Sequence, residues 1–293
     1  MTRVHLDRTL AVAVLVPSVA AVGIFVYGFI GWTGYVSLSN WNSFIRDLSF
    51  AGIQNYLTLF DTIRFQIDLR NTLIFTVAFL TACLVIGFLL AVLLDQRVRG
   101  EAIFRNIFLF PMAISFIVTG TAWQWLLNPS TGVNLLFDRL GLGFLQSRWY
   151  TDPNIAIFSV VLAATWQLSG FTMAMYLAGL RGIPEELSEA ARVDGASDWQ
   201  LYRHVIVPLL HPVTLSALIV LGHISLKIFD LVFAMTGSGP AFSTDVPGVF
   251  MFETTFRGNR FAEGAGIAMI MLVLVAVLII PYLWYSTRGA VET

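Results

Sequence analysis

Charge is what this sequence has least of. Only 12% of its 293 residues are charged, about half the share found in an ordinary soluble domain, and Lys227 is its single lysine. Seventeen basic and eighteen acidic residues are too few to coat a water-facing surface, which argues against a soluble globular enzyme, while 57% hydrophobic residues argue against a disordered chain. A formal net charge of −1 provides no basic face for phosphates, so nucleic acid is a poor partner. Cysteine is nearly absent. The lone Cys83 can form neither an internal disulfide nor a cysteine-rich metal site. His5, His204 and His211 show no ligand spacing with carboxylates, and no metal or catalytic residue is assigned. Internal repeats and long linkers are also missing, so one domain over 1–293 is the natural organisation.

Uncharged apolar runs are what the chain has instead, and its mean hydropathy is +0.78. A spanning helix needs roughly 20 apolar residues. Six such runs stand between charges, prolines and glycines: 10–36, 72–94, 107–127, 154–180, 205–226 and 264–287. They predict an all-α integral membrane protein with six transmembrane helices. Pro17, Pro111, Pro208 and Pro212 fall within or at the edges of these runs and predict kinks, which membrane helices tolerate when neighbours satisfy the freed carbonyls. The first run follows Arg3 and Arg8, as in a signal peptide, but it is long for one and five more runs follow, so an uncleaved helix is the simpler account. Arg3 and Arg8, the group Arg97, Arg99 and Arg105, and Arg288 place both termini in the cytoplasm by the excess of positive charge in inner loops.

The most charged stretch, 181–204, lies between the fourth and fifth runs on the inner side. Pro184 suits a first helical position, Glu185 and Glu186 suit the positive N-terminal turn, and Gly195 suits the left-handed residue that ends a helix. Ser197 with Gln200 matches a capping box that opens a second helix, which Pro208 limits. The spacing predicts helix, tight turn, helix, with Leu187, Ala190 and Ala191 near one face that a neighbouring protein can grip.

The pattern Glu189-Ala190-Ala191, three residues, Gly195, then Pro208 resembles that of permease subunits of binding-protein-dependent ATP-binding-cassette importers. Its context, Gly179 to Pro184 upstream and Val207, Pro208 and Pro212 downstream, resembles the carbohydrate branch, and in particular the first permease of that branch. The resemblance continues through Asn40-Trp41, Gly52 to Tyr56, Arg70 to Thr72, Arg105 to Pro111, Phe229-Asp230 and Thr236-Gly237-Ser238-Gly239-Pro240, and so covers nearly the whole chain. Ser238 replaces a usual Gly, Tyr202 a usual Phe and Val207 a usual Leu.

The resemblance implies a type I importer permease fold in a prokaryotic inner membrane. It implies a heterodimer with a second, homologous permease, two ATPase subunits docked on the loops around 181–204, and an extracytoplasmic binding protein that delivers a sugar or related polyol. Glu189 would cap or brace the fold, Ala190 and Ala191 would allow close docking, Asp194 and Gly195 would make the turn, and Pro208 would close the motif. ATP and Mg would belong to the partner subunits. The chain itself has no Walker A loop, since Lys227 follows Leu226 and no Gly-Lys pair exists.

Sugars present hydroxyls and apolar C–H faces, so aromatic and amide residues near the membrane midplane are candidates for contact. Trp166, Gln167 and Ser169 fall near mid-depth when about 1.5 Å per residue is counted from Asn154. They serve a sugar pathway or helix packing equally well. His223, Lys227 and Asp230 share a face of the fifth helix by spacing, near its outer end, where Lys227 and Asp230 form either a structural ion pair or part of the pathway. Trp123, Gln124 and Trp125 fall near the outer boundary as an aromatic belt or as the lining of an outer vestibule. An ion-gradient-driven secondary transporter, with Lys227 and Asp230 as a charge relay, is the competing class.

Overall fold

In the computed structural model, which describes residues 14–96 and 99–289, all regular structure is helical apart from a single antiparallel bridge between Ser39 and Phe50. The elements are α1 (Val14–Ser37), α2 (Gln54–Asp61), α3 (Ile63–Asp95), α4 (Glu101–Ala113), α5 (Phe116–Leu126), α6 (Val133–Arg139), α7 (Ala156–Arg181), α8 (Glu185–Val193), α9 (Asp198–Leu209), α10 (His211–Leu226), α11 (Asp230–Met235), α12 (Pro247–Phe252) and α13 (Phe261–Gly289). Arg3, Arg8 and Arg97, which enter the expected orientation, lie outside the described residues, as does the start of the first predicted run.

Four helices, α1, α3, α7 and the Phe261–Tyr282 part of α13, are long and apolar enough to cross a membrane. Two bent pairs, α4 with α5 and α9 with α10, bring the number to six if each pair is one span, and these six follow the six sequence runs. The pairs bend by 100° and 61°. Pro111 lies in a short 3-10 turn before the first break, and Ser115 caps α5 by accepting a hydrogen bond from the Val118 N–H at 3.3 Å. At the second break the first segment ends at Leu209, one residue after Pro208, and Pro212 opens the next, where a missing N–H costs nothing.

The chain divides into two compact units. One consists of the chain up to Thr62 with Met251–Leu272. Its buried Asn55 donates from Nδ2 to the carbonyls of Ser37 (2.9 Å) and Ser39 (2.8 Å) and accepts from Asn42 Nδ2 at 3.0 Å. Asn42 in turn accepts from the Glu263 N–H at 3.1 Å, and the Trp41 ring packs on Phe261 with centroids 4.7 Å apart. The loop residues around Trp41 and Asn55 thus tie the end of α1 and α2 to the start of α13.

The other unit comprises Ile63–Phe250 with the chain from Val273 onward. Its axis is α7, whose most apolar stretch is 72% buried against 28% for α3. One half of α7 carries Val160, Ala164 and Leu168 into a core with Phe75 and Phe79 of α3 and Leu231 and Met235 of α11. The other half carries Met173, Tyr176 and Leu180 into a second cluster with Ala91, Leu94, Leu201 and Leu210. Small residues permit the closest crossings, as expected where lipid gives helices little hydrophobic reason to associate. A methyl group added at Gly170 would overlap the Phe108 carbonyl oxygen, so only glycine lets α4 lie against α7 there.

Candidate functional site

The stretch 181–204 folds as helix, turn and helix. Pro184 takes the N-cap of α8, one residue before the expected first helical position, and Glu185 and Glu186 occupy its first turn. The Gly195 N–H bonds to the Arg192 carbonyl and the Ala196 N–H to the Ala191 carbonyl, both at 3.0 Å, with Gly195 at φ +82°. This is the helix-ending arrangement that glycine adopts without a Cβ clash. Ser197 and Gln200 form a complete capping box, with the Ser197 N–H donating to Gln200 Oε1 at 2.8 Å.

The loop stays on the surface. Glu189, Ala190, Asp194, Gly195 and Pro208 are all exposed, whereas Ala191 is half-buried against the second core cluster. Ala191 therefore does not share an open gripping face with Ala190. It seats α8 on the bundle. Glu189 makes no hydrogen bond or ion pair among the described residues, while the capping box closes the turn and Arg192 lies 3.8 Å from Asp198. Glu189 instead borders a cavity of 660 Å³ with Asp95, Arg181, Arg192 and Tyr202. Arg181, the last residue of α7, reaches Glu101 at 2.8 Å and Asp95 at 3.8 Å and so joins the ends of α3, α4 and α7 beneath the loop.

Two loop residues carry an exposed apolar surface that spacing alone did not single out: Val193 at 87% and Trp199 at 72% exposure. Their signal was present in the sequence, as apolar side chains inside its most charged stretch.

Trp166, Gln167 and Ser169 lie in the middle of α7 but face different surroundings. Trp166 is exposed and lines a groove of 350 Å³ with Ile114, Val118, Thr119, Ala122, Trp123 and Leu126. Gln167 is buried, and its Nε2 donates to the Ile114 carbonyl at 2.6 Å, while Ser169 is half-buried. Trp123 packs edge-on to Trp166, with centroids 5.9 Å apart. The expected place of Trp123 is a boundary belt or the lining of an outer vestibule; it lies against Trp166 beyond a 100° break that a straight-helix count does not include. Trp125 is 72% exposed.

Gln124 points elsewhere. It borders a cavity of 370 Å³ with Tyr150, Thr151, Met235, Thr236, Ser238, Gly239 and Pro240. Lys227 and Asp230 are both exposed, and no ion pair links them among the described residues. Of the expected face of His223, Lys227 and Asp230, the first two keep helical spacing and Asp230 does not. Lys227, with φ −116° and ψ 17°, is the C-cap of α10, and Asp230 starts α11, so helical spacing stops between them.

The sequence profile described as "Binding-protein-dependent transport system inner membrane component" matches residues 84–287. A probable ABC transporter permease of Pyrococcus horikoshii is 44% identical over 284 residues, 97% of each chain. A xylose/arabinose import permease of Haloferax volcanii is 38% identical over 90% of this chain and 84% of its own. Among solved structures, a chain of a bacterial ABC transporter involved in the import of the acidic polysaccharide alginate superimposes with a TM-score of 0.83, at 22% identity and over 98% of both chains. That likeness establishes the fold.

Proposed function

The chain belongs to the family of binding-protein-dependent transport system inner membrane components, and on that basis we propose that it is the membrane-spanning subunit of an ABC importer that carries a carbohydrate inward. A second, similar permease completes the translocation path, two ATPase subunits dock on the 181–204 loops, and an extracytoplasmic binding protein supplies the sugar. Both termini lie on the cytoplasmic side of the inner membrane, and 1–293 acts as one permease domain. ATP and magnesium belong to the ATPase subunits. The import of xylose and arabinose by the Haloferax volcanii relative supports the cargo class.

The observation that carries the coupling role is the exposed α8–Gly195–α9 unit, whose Ala191 packs on the cluster that holds Ala91 and Leu94 of α3 and Leu180 of α7, next to the Arg181 ion pairs that join the ends of α3, α4 and α7. A rigid projecting helix fixed at its base transmits a displacement of the ATPase subunits to those three spans together. Val193, Trp199 and Ala190 offer the docking surface. Asp194 and Gly195 hold the turn, and Glu189 lines the adjoining cavity. Sugar then passes the Trp166 groove, where Gln167 holds the break in the third span in place and Ser169 is partly accessible. Gln124, Lys227 and Asp230 belong to the outer part of the path. An ion-driven carrier with a Lys227–Asp230 relay gains no support from two exposed, unlinked side chains.

The deciding experiment is purification from native membranes in mild detergent, with partners identified by mass spectrometry and ATPase assayed in the eluate. A second six-span protein, a Walker A protein and hydrolysis stimulated by sugar-loaded binding protein are expected. A homomeric chain without ATPase, taken from membranes active in uptake, would overturn the reading.

A further inference from the structure

The cavity beside Gln124 is walled by strained backbone. Among the described residues four non-glycine residues have positive φ, and three of them flank this cavity: Trp149 (46°) directly before Tyr150, and Ala241 (52°) and Phe242 (60°) directly after Pro240. Such conformations cost about 1–2 kcal/mol each and persist only where the surroundings enforce them.

Both walls are enforced. Trp149 Nε1 donates to Asn134 Oδ1 at 2.8 Å, and Asn134 Nδ2 donates to the carbonyls of Ser147 (2.7 Å) and Pro129 (3.1 Å). Opposite, Asn71 Nδ2 donates to the carbonyls of Phe242 (2.8 Å) and Asp245 (3.0 Å). Arg64 donates from Nε to buried Asp245 at 2.5 Å and from Nη2 to Ser238 Oγ at 3.2 Å. Gly237 (57°) and Gly239 (68°) make the turn that carries Ser238.

Strain held this firmly presents side chains whose polar groups are uncommitted, with the Tyr150 ring packed at the edge of the core. Gln124 and Tyr150 are half-buried and make no hydrogen bond among the described residues. Ser238 Oγ accepts from Arg64 and keeps its own proton to donate. An aromatic ring, an amide and a hydroxyl around an open recess match the C–H face and hydroxyls of a sugar ring.

We propose that this cavity is a carbohydrate-receiving subsite, separate from the Trp166 groove, in which the Tyr150 ring stacks on a sugar face while Gln124 and Ser238 bond its hydroxyls. It rests on the carbohydrate reading above. The test uses the complete importer with its binding protein in proteoliposomes and measures uptake of D-xylose, L-arabinose and maltose. Tyr150→Ala and Gln124→Ala should each raise the half-saturating sugar concentration about tenfold, the loss of one good contact. Tyr150→Phe, which keeps the ring, should stay within about twofold. If Tyr150→Ala does not assemble, Gln124→Ala decides. Unchanged half-saturation in the variants overturns the subsite. So does weakened affinity for the sugar-free binding protein with sugar dependence unchanged, because the cavity is then a protein contact. Failure of the unsubstituted importer to take up any of the three sugars, or any of a wider panel of oligosaccharides and polyols, overturns the carbohydrate reading itself, and is distinguishable because no substitution is involved.

Discussion

The side-chain amide of Gln167 donates to the carbonyl oxygen of Ile114, 2.6 Å away, across the break that separates α4 from α5. A carbonyl freed inside an apolar bundle needs a partner, and α7 supplies one from its middle. The amide therefore sets where the third span turns by 100°, and with it the position of Trp123 against Trp166.

Replacing Gln167 by Leu removes that partner from the half-buried Ile114 carbonyl. A loss of about 1–2 kcal/mol is expected, at the upper range of interhelical hydrogen bonds in membranes. Thermal unfolding of the purified importer in detergent measures it. Full stability with abolished uptake would make Gln167 a substrate contact instead of a brace.

At φ +82°, Gly195 occupies a conformation that a β-branched residue resists. Gly195→Val costs about 1–2 kcal/mol locally, and because the turn is exposed, with open space around the missing Cβ, insertion and spans survive. The orientation of α8 against α9 does not. Sugar-stimulated uptake should fall more than tenfold while ATP hydrolysis persists, the signature of a displaced coupling element. Simultaneous assay of both rates in proteoliposomes checks this, and uptake at the unsubstituted rate would remove the loop from the coupling path.

The loop was legible because its determinants are short-range: Ser197 with Gln200, Gly195 after Val193, Pro184 before two glutamates. Each acts within one turn of helix. Span number was legible from hydrophobic run length, but span limits were not. The second run begins at Thr72, where charge stops, whereas α3 begins at Ile63, because a helix of 33 residues, about 50 Å, outreaches a hydrocarbon core of about 30 Å. Arg64, Asp68 and Arg70 sit in that extension. The surroundings of Gln124 and Trp123 were illegible for a related reason. Depth counted along a straight axis fails at Ile114, and the partner that holds the break, Gln167, is 53 residues away in sequence.

Trp199 and Val193 present their apolar surface from the tip of the loop. A solvated loop gains nothing from them, and a docking surface gains most from a large aromatic. Trp199→Ala should leave the yield of inserted protein unchanged and weaken retention of the ATPase subunits roughly tenfold or more. Co-purification at graded detergent concentrations measures this, and undiminished retention in the Trp199→Ala, Val193→Ala double variant would place the docking surface elsewhere.

Arg64 and Asp245 test whether the outer wall of the Gln124 cavity is held by a buried ion pair. The Asp245 side chain is 0% exposed and that of Arg64 19%, and the guanidinium also lies over Phe242 and Phe250, 4.8 and 4.5 Å from their ring centres. Removing one partner of a buried pair takes away the other's ion-pair contact and costs up to about 3–5 kcal/mol, less where other contacts remain, whereas removing both charges costs much less. Arg64→Leu should therefore be the less stable protein, and adding Asp245→Asn to it should restore part of the loss, a coupling visible in a double-mutant thermal cycle. Additive losses would mean that the two side chains act independently. Because Arg64 also holds Ser238, Arg64→Leu should in addition raise the half-saturating sugar concentration, and the Asp245→Asn addition, which restores stability but no donor to Ser238, should leave that defect in place. Stability and sugar dependence then separate in one pair of variants, which a purely structural role for the pair would not produce.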